Sequence, residues 1–273
     1  MKKLDLKFRR IFVMLGLLMA TMVLSSSCSC SMNSGSIGGE LSYKDSELAV
    51  KPFSKIEVET IADVFYTQND GDKQSVQFDF SKIKDADLQK KFKENMVAIY
   101  REGKVIIGLK HKIMGITNLK QGERVRVMIT SPDLVKVTLE GVGTFQTDAI
   151  NSDVFGVDNE GVGNITIEKM LVNNLTVDNE GVGNVKIGEL QADQVSIDNE
   201  GVGNVTIDQF KGGKMDIDND GVGNVKVQVD CQTIKATLEG VGGIKLSGVT
   251  RRLTQVRDGV GKINISELKV LDK

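Results

Sequence analysis

The chain has few of the residues on which most catalytic sites and ring-stacking surfaces depend. It contains no Trp, three Tyr and a single His, His111. Because sugar-binding and base-stacking surfaces use aromatic rings, this shortage weighs against recognition by stacking. A Ser/His/Asp triad would have to use His111, whose Lys neighbours indicate an exposed position. The sequence also has no His/Cys metal-ligand cluster, phosphate-binding loop or dinucleotide fingerprint, so we expect a non-catalytic protein.

Proline and cysteine are scarce as well, whereas glycine is abundant. Two Pro and 29 Gly residues suit many tight turns between short strands. Only Cys231 lies beyond residue 30, so no intrachain disulfide framework is expected in the folded part. Cys231 stands in a stretch of alternating apolar residues and is predicted to be a small buried side chain.

The first 27 residues have the layout of a bacterial export signal. Basic residues precede an apolar run from Ile11 to Leu24 that is short for a membrane span. Small residues then precede Cys28, which resembles the lipobox of bacterial lipoproteins, where the Cys is acylated. We expect a signal peptide over residues 1–27, lipid attachment at Cys28 and a lipid-anchored flexible tether over residues 28–50. A plain signal peptide without lipid is the alternative. The predicted location is the cell envelope at the outer membrane, on either its periplasmic or its surface face.

The charge of the exported chain is mildly acidic and unevenly distributed. Loss of five basic residues and one acidic residue with residues 1–27 leaves 30 basic and 36 acidic residues. Such a chain is a poor binder of nucleic acid. Ser81 to Lys136 holds 13 basic and 6 acidic residues, whereas Val157 to Val227 holds 13 acidic and 5 basic. Self-association, or contact of the basic part with anionic glycan or lipid, is therefore an alternative to simple solvation of these charges.

The tripeptide Gly-Val-Gly recurs seven times at intervals of nineteen or twenty residues. Its copies begin at Gly141, Gly161, Gly181, Gly201, Gly221, Gly240 and Gly259. A fixed period near twenty residues indicates a solenoid of stacked coils. Alternation predicts that Leu175, Val177 and Asn179 face inward while Asp178 and Glu180 face outward. The glycines are expected at sharp corners where a side chain would clash.

The fold predicted from this repeat is all-β, a right-handed parallel β-helix with coils of about twenty residues. Each coil is expected to have two short strands and two turns over residues 137–265, followed by a tail at residues 266–273. Residues 51–136 are predicted to be a β region continuous with the solenoid. Leu88, Phe92 and Met96 are spaced by four residues and predict one short amphipathic helix in this region.

Four short motifs stand in a fixed order along most of the exported chain. They are Phe-Ser-Lys-Ile-Glu-Val at 53–58, Asp-Val-Phe-Tyr at 63–66, Ile-Thr-Ser-Pro-Asp-Leu at 129–134 and Thr-Leu-Glu-Gly-Val-Gly at 138–143. Their order and spacing resemble the bacterial family called putative auto-transporter adhesin, head GIN domain, over about Lys51 to Ile265. The resemblance implies an exported, envelope-associated β-helix with an adhesin-like role.

Two asparagine columns and two acidic columns follow from the repeat. An inward hydrogen-bonded ladder is predicted for Asn159, Asn179, Asn199 and Asn219. Turn positions are predicted for Asn164, Asn184, Asn204 and Asn224. A candidate cation ladder is formed by Glu160, Glu180, Glu200 and Asp220, and a second acidic column by Asp158, Asp178, Asp198 and Asp218. Carboxylates about 4.8 Å apart repel, so these columns are expected to be solvated, to bind calcium weakly, or to face a cationic partner.

These features favour an envelope-anchored binding or structural module that is not an enzyme. Its repetitive surface would engage a glycan, another envelope protein or another copy of itself by avidity. The alternative is a polysaccharide-active β-helix lyase or hydrolase, which would need two or three non-repeating carboxylates in a concave groove. No cofactor is expected apart from weakly bound calcium, and no nucleic-acid partner.

Overall fold

The computed structural model describes residues 40–113, 119, 120 and 122–272, in which fourteen strands form one sheet wound into a parallel β-solenoid. The first seven strands are short: β1 (Lys55–Val58), β2 (Ile61–Gln68), β3 (Ser75–Asp79), β4 (Met96–Arg101), β5 (Lys104–Leu109), β6 (Val125–Ser131) and β7 (Lys136–Leu139). The last seven are long: β8 (Val142–Asn159), β9 (Val162–Asn179), β10 (Val182–Asn199), β11 (Val205–Asn219), β12 (Val222–Leu238), β13 (Val241–Arg257) and β14 (Val260–Val270). The predicted all-β solenoid fold is confirmed.

Each long strand from β8 to β13 forms most of one coil and pairs in parallel with the coils on either side, whereas β14 pairs with β13 alone. Val177, for example, lies between Val157 and Ile197 in register. Leu175, Val177 and Asn179 are buried, whereas Glu180 is exposed, as the alternation predicted. The expected two short strands per coil are wrong, because a coil such as β9 or β10 is one strand of 18 residues whose pairing skips only one or two residues at a corner. In β9 the corners are marked by two pairs of consecutive exposed residues, 168–169 and 173–174.

The repeat shortens from twenty to nineteen residues at a corner of β12. Ile207 pairs with Val227, but Phe210 pairs with Val229, so β12 has one residue fewer between these two positions. The missing residue is taken from an outward-facing corner, which leaves the inward side chains of both coils in register. The change of period therefore leaves the core continuous.

The N-terminal coils are stacked in an order that differs from the order of the chain. β1 pairs in parallel with both β5 and β7, and β2 pairs in parallel with both β6 and β8. The coil made of β1 and β2 therefore lies between the β5–β6 coil and the β7–β8 coil. β4 and β3 add antiparallel strands to β5 and β6. The short strands β1–β7 thus belong to the same sheet as the repeat coils.

The predicted helix is α1 (Ala86–Asn95), which joins β3 to β4. Asp85 caps it, because its Oδ1 accepts a hydrogen bond of 2.8 Å from the backbone N–H of Leu88. Leu88 and Phe92 lie on one helical face and are buried in the main core. Among the described residues, no helix is long and apolar enough to cross a membrane.

The two ends of the described chain are packed against neighbouring strands. Residues 40–50, the last part of the expected tether, lie beside β4 and β5, where Arg101 Nε is 2.8 Å from Glu47 Oε1. Leu41 and Tyr43 cover a small apolar cluster on the outer face of these strands, formed by Val97, Ile99 and Ile106. β14 continues to Val270, into the segment expected to be a tail. The expected signal peptide and Cys28 lie outside the described residues.

Candidate functional site

The Gly-Val-Gly corner is where successive coils approach too closely for any side chain. A Cβ added to Gly181 would lie 2.3 Å from the carbonyl oxygen of Gly161, and one added to Gly183 would lie 1.6 Å from that of Gly163. The valine between the two glycines points the other way, and Val182 is 50% exposed. The corner therefore stacks glycine backbone on glycine backbone and presents a column of valines to solvent.

A ladder of exposed amides runs beside the valine column. Asn184 Nδ2 donates to Asn164 Oδ1 at 2.9 Å, and Asn204 Nδ2 donates to Asn184 Oδ1 at 2.9 Å. Asn224 Nδ2 likewise donates to Asn204 Oδ1 at 3.2 Å. The prediction that these are turn residues is wrong for Asn164, Asn184 and Asn224, which lie in strands, whereas Asn204 lies directly before β11. The repeat places them on an outer face, where stacked amides pair with one another.

The second asparagine ladder is buried, as predicted. Asn159 Nδ2 donates to Asn179 Oδ1 at 2.7 Å, and the next two steps, to Asn199 and Asn219, are 2.6 Å each. All four side chains are fully buried. At one end, Asn219 Nδ2 reaches the carbonyl oxygen of Gly223 at 3.2 Å. At the other end, Asn159 Oδ1 is buried and has no hydrogen-bond partner among the described residues.

The acidic columns lie on the outer surface, where neighbouring carboxylates affect each other. Partial burial raises the pKa of Glu180, and repulsion by Glu200 and Glu160 raises it further. Partial burial likewise raises the pKa of Asp178, and the neighbouring Asp158 adds to the effect. Within the part of the chain that the structure describes, no group of three or more Asp, Glu, His or Cys residues is placed to hold a metal ion. Cation binding by Glu160, Glu180, Glu200 and Asp220 therefore stays a prediction.

The column that contains Glu160 and Glu180 continues through Glu140 to Glu59, and sequence analysis missed Glu59. The backbone N–H of Glu140 donates to Val58 O in the coil below, and that of Glu59 donates to Ile107 O in the same way. Burial, a hydrogen bond with Glu57 and repulsion by Glu57 and Glu140 together raise the pKa of Glu59 to about 7. Glu57 also forms an ion pair with Lys104. The sequence signal is weak because Thr60 replaces the corner glycine and this coil is stacked out of chain order.

A groove runs along another side of the solenoid, across five coils, and we call it the axial groove. Its volume is about 520 Å³. The floor consists of Ile150, Met170, Leu190, Phe210 and Val229, each only 2–3% exposed. One wall consists of Ala149, Lys169, Glu189, Gln209 and Gln228, and the other of Asn151, Leu171, Gln191, Lys211 and Asp230. Sequence analysis did not find this groove, because the residue type in each wall column changes from coil to coil.

The remaining residues considered from the sequence occupy the expected environments. His111 is exposed, and its Nδ1 is 2.9 Å from Glu40 Oε1. Cys231 is buried, its Sγ is 3.6 Å from Thr250 Oγ1, and burial raises the pKa of the thiol. The predictions that His111 is a surface residue and Cys231 a small core residue are confirmed.

The stacked parallel coils place the chain among the β-solenoid proteins, and comparison with known sequences gives the family. The family described as putative auto-transporter adhesin, head GIN domain matches residues 52–229 and 192–272, and the chain belongs to it. The resemblance noted from the four sequence motifs is thereby confirmed. No curated protein matches the chain.

Several solved structures share the fold. A putative adhesin from Bacteroides fragilis NCTC 9343 is 24% identical with a TM-score of 0.64, and the match covers 79% of this chain and 93% of that one. A putative adhesin from Parabacteroides distasonis ATCC 8503 is 17% identical with a TM-score of 0.53, covering 78% and 93%. A putative lipid binding protein from the same strain is 15% identical with a TM-score of 0.50, covering 79% and 94%. At these identities the likeness shows the fold alone.

Proposed function

We propose that this protein is a non-catalytic binding module of the bacterial cell envelope that engages a repetitive partner through its repeated surface. Membership of an adhesin-like family supports an envelope or surface role. The observation that carries the proposal is the regularity of the outer columns. Residues equivalent to Glu160, Val162 and Asn164 recur along the solenoid, in register from coil to coil.

Such a surface binds best by summing many weak contacts. Parallel strands repeat at about 4.8 Å, so identical groups are presented at that spacing along the axis. A polymeric partner that contacts one coil is already positioned to contact the next, and the linked contacts raise the overall affinity without any single strong site. A single substitution in one coil of these outer columns is then expected to have a small effect on binding through them.

The proposed attachment to the envelope is a lipid on Cys28. Eleven residues lie between Cys28 and Glu40, and the twelve steps along the chain place Glu40 within at most about 43 Å of the acylated residue. Residues 41–47 contact β4 and β5, which directs the anchor to the N-terminal end of the solenoid. Replacing Cys28 with Ser should abolish incorporation of radiolabelled palmitate and release the protein from the membrane fraction. Retention of the label would contradict lipid attachment at this residue.

The binding function is tested with the full-length protein and fractions of the native envelope. The protein, in a detergent without a sugar headgroup, is titrated against separated membrane, polysaccharide and protein fractions, first with calcium and then with chelator. Saturable binding to one polymeric fraction supports the proposal, and its loss on chelation would assign a role to the acidic columns. Absence of binding to every fraction under both conditions would overturn it.

The alternative, a polysaccharide-active enzyme, is tested in the same experiment. The axial groove holds two carboxylates that do not repeat, Glu189 and Asp230, on coils two steps apart. Paired carboxylates across a groove are the arrangement that glycoside hydrolysis requires. Glu189 Oε2 lies 3.7 Å from Lys169 Nζ, so this carboxylate already has a cationic neighbour in the groove. Release of shortened chains, lost in the Glu189→Gln variant, would replace the proposed function with catalysis.

A further inference from the structure

The length of the axial groove suits an extended polymer better than a compact small molecule. It crosses β8, β9, β10, β11 and β12, and four steps of about 4.8 Å give a length of about 19 Å. Its lining repeats once per coil in three columns. A ligand that follows the groove therefore meets side chains at the same three positions at each step along the solenoid axis, although the types of the wall residues change from coil to coil.

The positive and negative residues that line the groove are equal in number, although the groove lies in an acidic part of the molecule. Its charged residues are two lysines, Lys169 and Lys211, and two acids, Glu189 and Asp230. The stretch from Val157 to Val227 as a whole carries 13 acidic and 5 basic residues. A polycation would be attracted to the acidic columns and not to the groove, and a polyanion would be repelled from the surroundings. The electrostatics of the groove therefore favour an uncharged ligand.

Amide side chains supply most of the remaining polar groups of the groove: Asn151, Gln191, Gln209 and Gln228. An amide both donates and accepts hydrogen bonds, as a hydroxyl does, so such columns suit a ligand that carries many hydroxyls. The floor side chains are buried and add little apolar surface, whereas Leu171, 48% exposed, supplies apolar surface in one wall. Specificity from a few polar groups beside an apolar surface is the usual composition of a ligand site.

A polypeptide fits this groove poorly. Strand addition requires unpaired backbone groups, but β9, β10 and β11 are each paired with a coil on both sides, and the groove crosses them instead of following an edge. An amphipathic helix requires a broad exposed apolar surface, whereas each floor residue is only 2–3% exposed. We infer that the axial groove binds a neutral polysaccharide chain lying parallel to the solenoid axis. This inference rests on the proposed binding function, and it adds a second binding surface, the axial groove, with the class of its ligand.

The test uses neutral oligosaccharides of graded length with the full-length protein in a detergent without a sugar headgroup. Glucan and mannan oligomers are compared with oligogalacturonate as the anionic probe and chitosan oligomers as the cationic probe, by isothermal titration calorimetry. The groove variant is Gln191→Glu, at the central coil. Its matched control is Gln194→Glu, the same change at an exposed position of the same coil outside the groove.

The expected result is binding of one neutral series, with affinity that rises with length and levels off once the oligomer spans about 19 Å. Gln191→Glu should weaken this binding at least tenfold, whereas Gln194→Glu should leave it within twofold. Preference for a charged probe, or equal losses in both variants, would overturn the inference. If envelope binding persists unchanged in Gln191→Glu while no neutral oligosaccharide binds, this inference fails but the proposed binding function stands.

Discussion

The buried asparagine ladder predicts that one substitution has very different effects at two equivalent positions. Asn179 accepts a hydrogen bond from Asn159 at 2.7 Å and donates one to Asn199 at 2.6 Å. Changing Asn179 to Leu leaves the Asn159 amide N–H and the Asn199 amide oxygen without partners in a fully buried column. Changing Asn159 to Leu orphans only the Asn179 oxygen, and it removes the Asn159 oxygen that already has no partner among the described residues.

The size of the difference follows from counting these orphaned groups. Asn179→Leu creates two buried polar groups without a partner. Asn159→Leu creates one such group and removes another, so the two variants differ by two groups. Each buried group that loses its partner costs about 1–3 kcal/mol, so Asn179→Leu should be less stable than Asn159→Leu by about 2–6 kcal/mol. The gain from burying Leu cancels in this comparison. Leu fits the column sterically, because Leu139 and Leu238 already occupy the equivalent positions in the flanking coils.

Urea unfolding followed by far-ultraviolet circular dichroism measures this difference. The midpoint should fall strongly for Asn179→Leu and little for Asn159→Leu, with similar slopes, because both variants bury the same surface. Equal losses at the two positions would refute the reasoning. They would mean that the side-chain ladder does not determine how these amides are satisfied.

Two further predictions concern the corner glycines and the inserted coil. Gly181→Ala should cost about 3 kcal/mol or more, because its Cβ would meet backbone at 2.3 Å, whereas Gly156→Ala, whose Cβ would meet only the flexible Lys136 side chain at 3.4 Å, should cost far less. Thermal unfolding of both variants measures this, and similar melting temperatures would contradict it. The raised pKa of Glu59, about 7 against 4.5, means that the folded state favours its protonated form, so the associated stability is complete below pH 4.5 and is lost as pH rises through 7. If Glu59 were fully buried, the stability lost between these pH values would be roughly 3 kcal/mol, and solvent screening reduces this loss to about 1–2 kcal/mol. Urea midpoints at pH 5 and pH 8 should therefore differ less in Glu59→Gln than in the unchanged protein, and an equal difference in both would contradict the assignment.

Most of the fold could be predicted from the pattern of the repeat. Alternation around Val177 fixed which side chains face inward. The recurring glycines marked the corners, because a Cβ at these positions would lie only 1.6–2.4 Å from a backbone carbonyl oxygen of the neighbouring coil. The buried Asn179 ladder followed from the same period. The helix at Leu88 and Phe92 was also predicted, because its spacing differs from that of the strands.

Three features did not follow from the sequence, each for a physical reason. The coil containing Glu59 is stacked between two coils that come later in the chain, and sequence order gives no signal of this. The exposed ladder through Asn184 was assigned to turns, because asparagine beside glycine is common there and the continuous strand becomes visible only when the coils are stacked. The axial groove is formed by columns such as Lys169, Glu189 and Gln209, whose residue types vary although their positions repeat.

The measurement that tests the central claim most directly is the affinity of the protein for its envelope fraction after removal of one coil. Deleting residues 182–201 joins Gly181 to Val202 and restores the Glu-Gly-Val-Gly corner with every inward position in register. If each coil contributes about 1.4 kcal/mol to binding, the shortened protein should fold with the same strand signature and bind about tenfold more weakly. Unchanged affinity in a correctly folded shortened protein would contradict binding through the repeated surface.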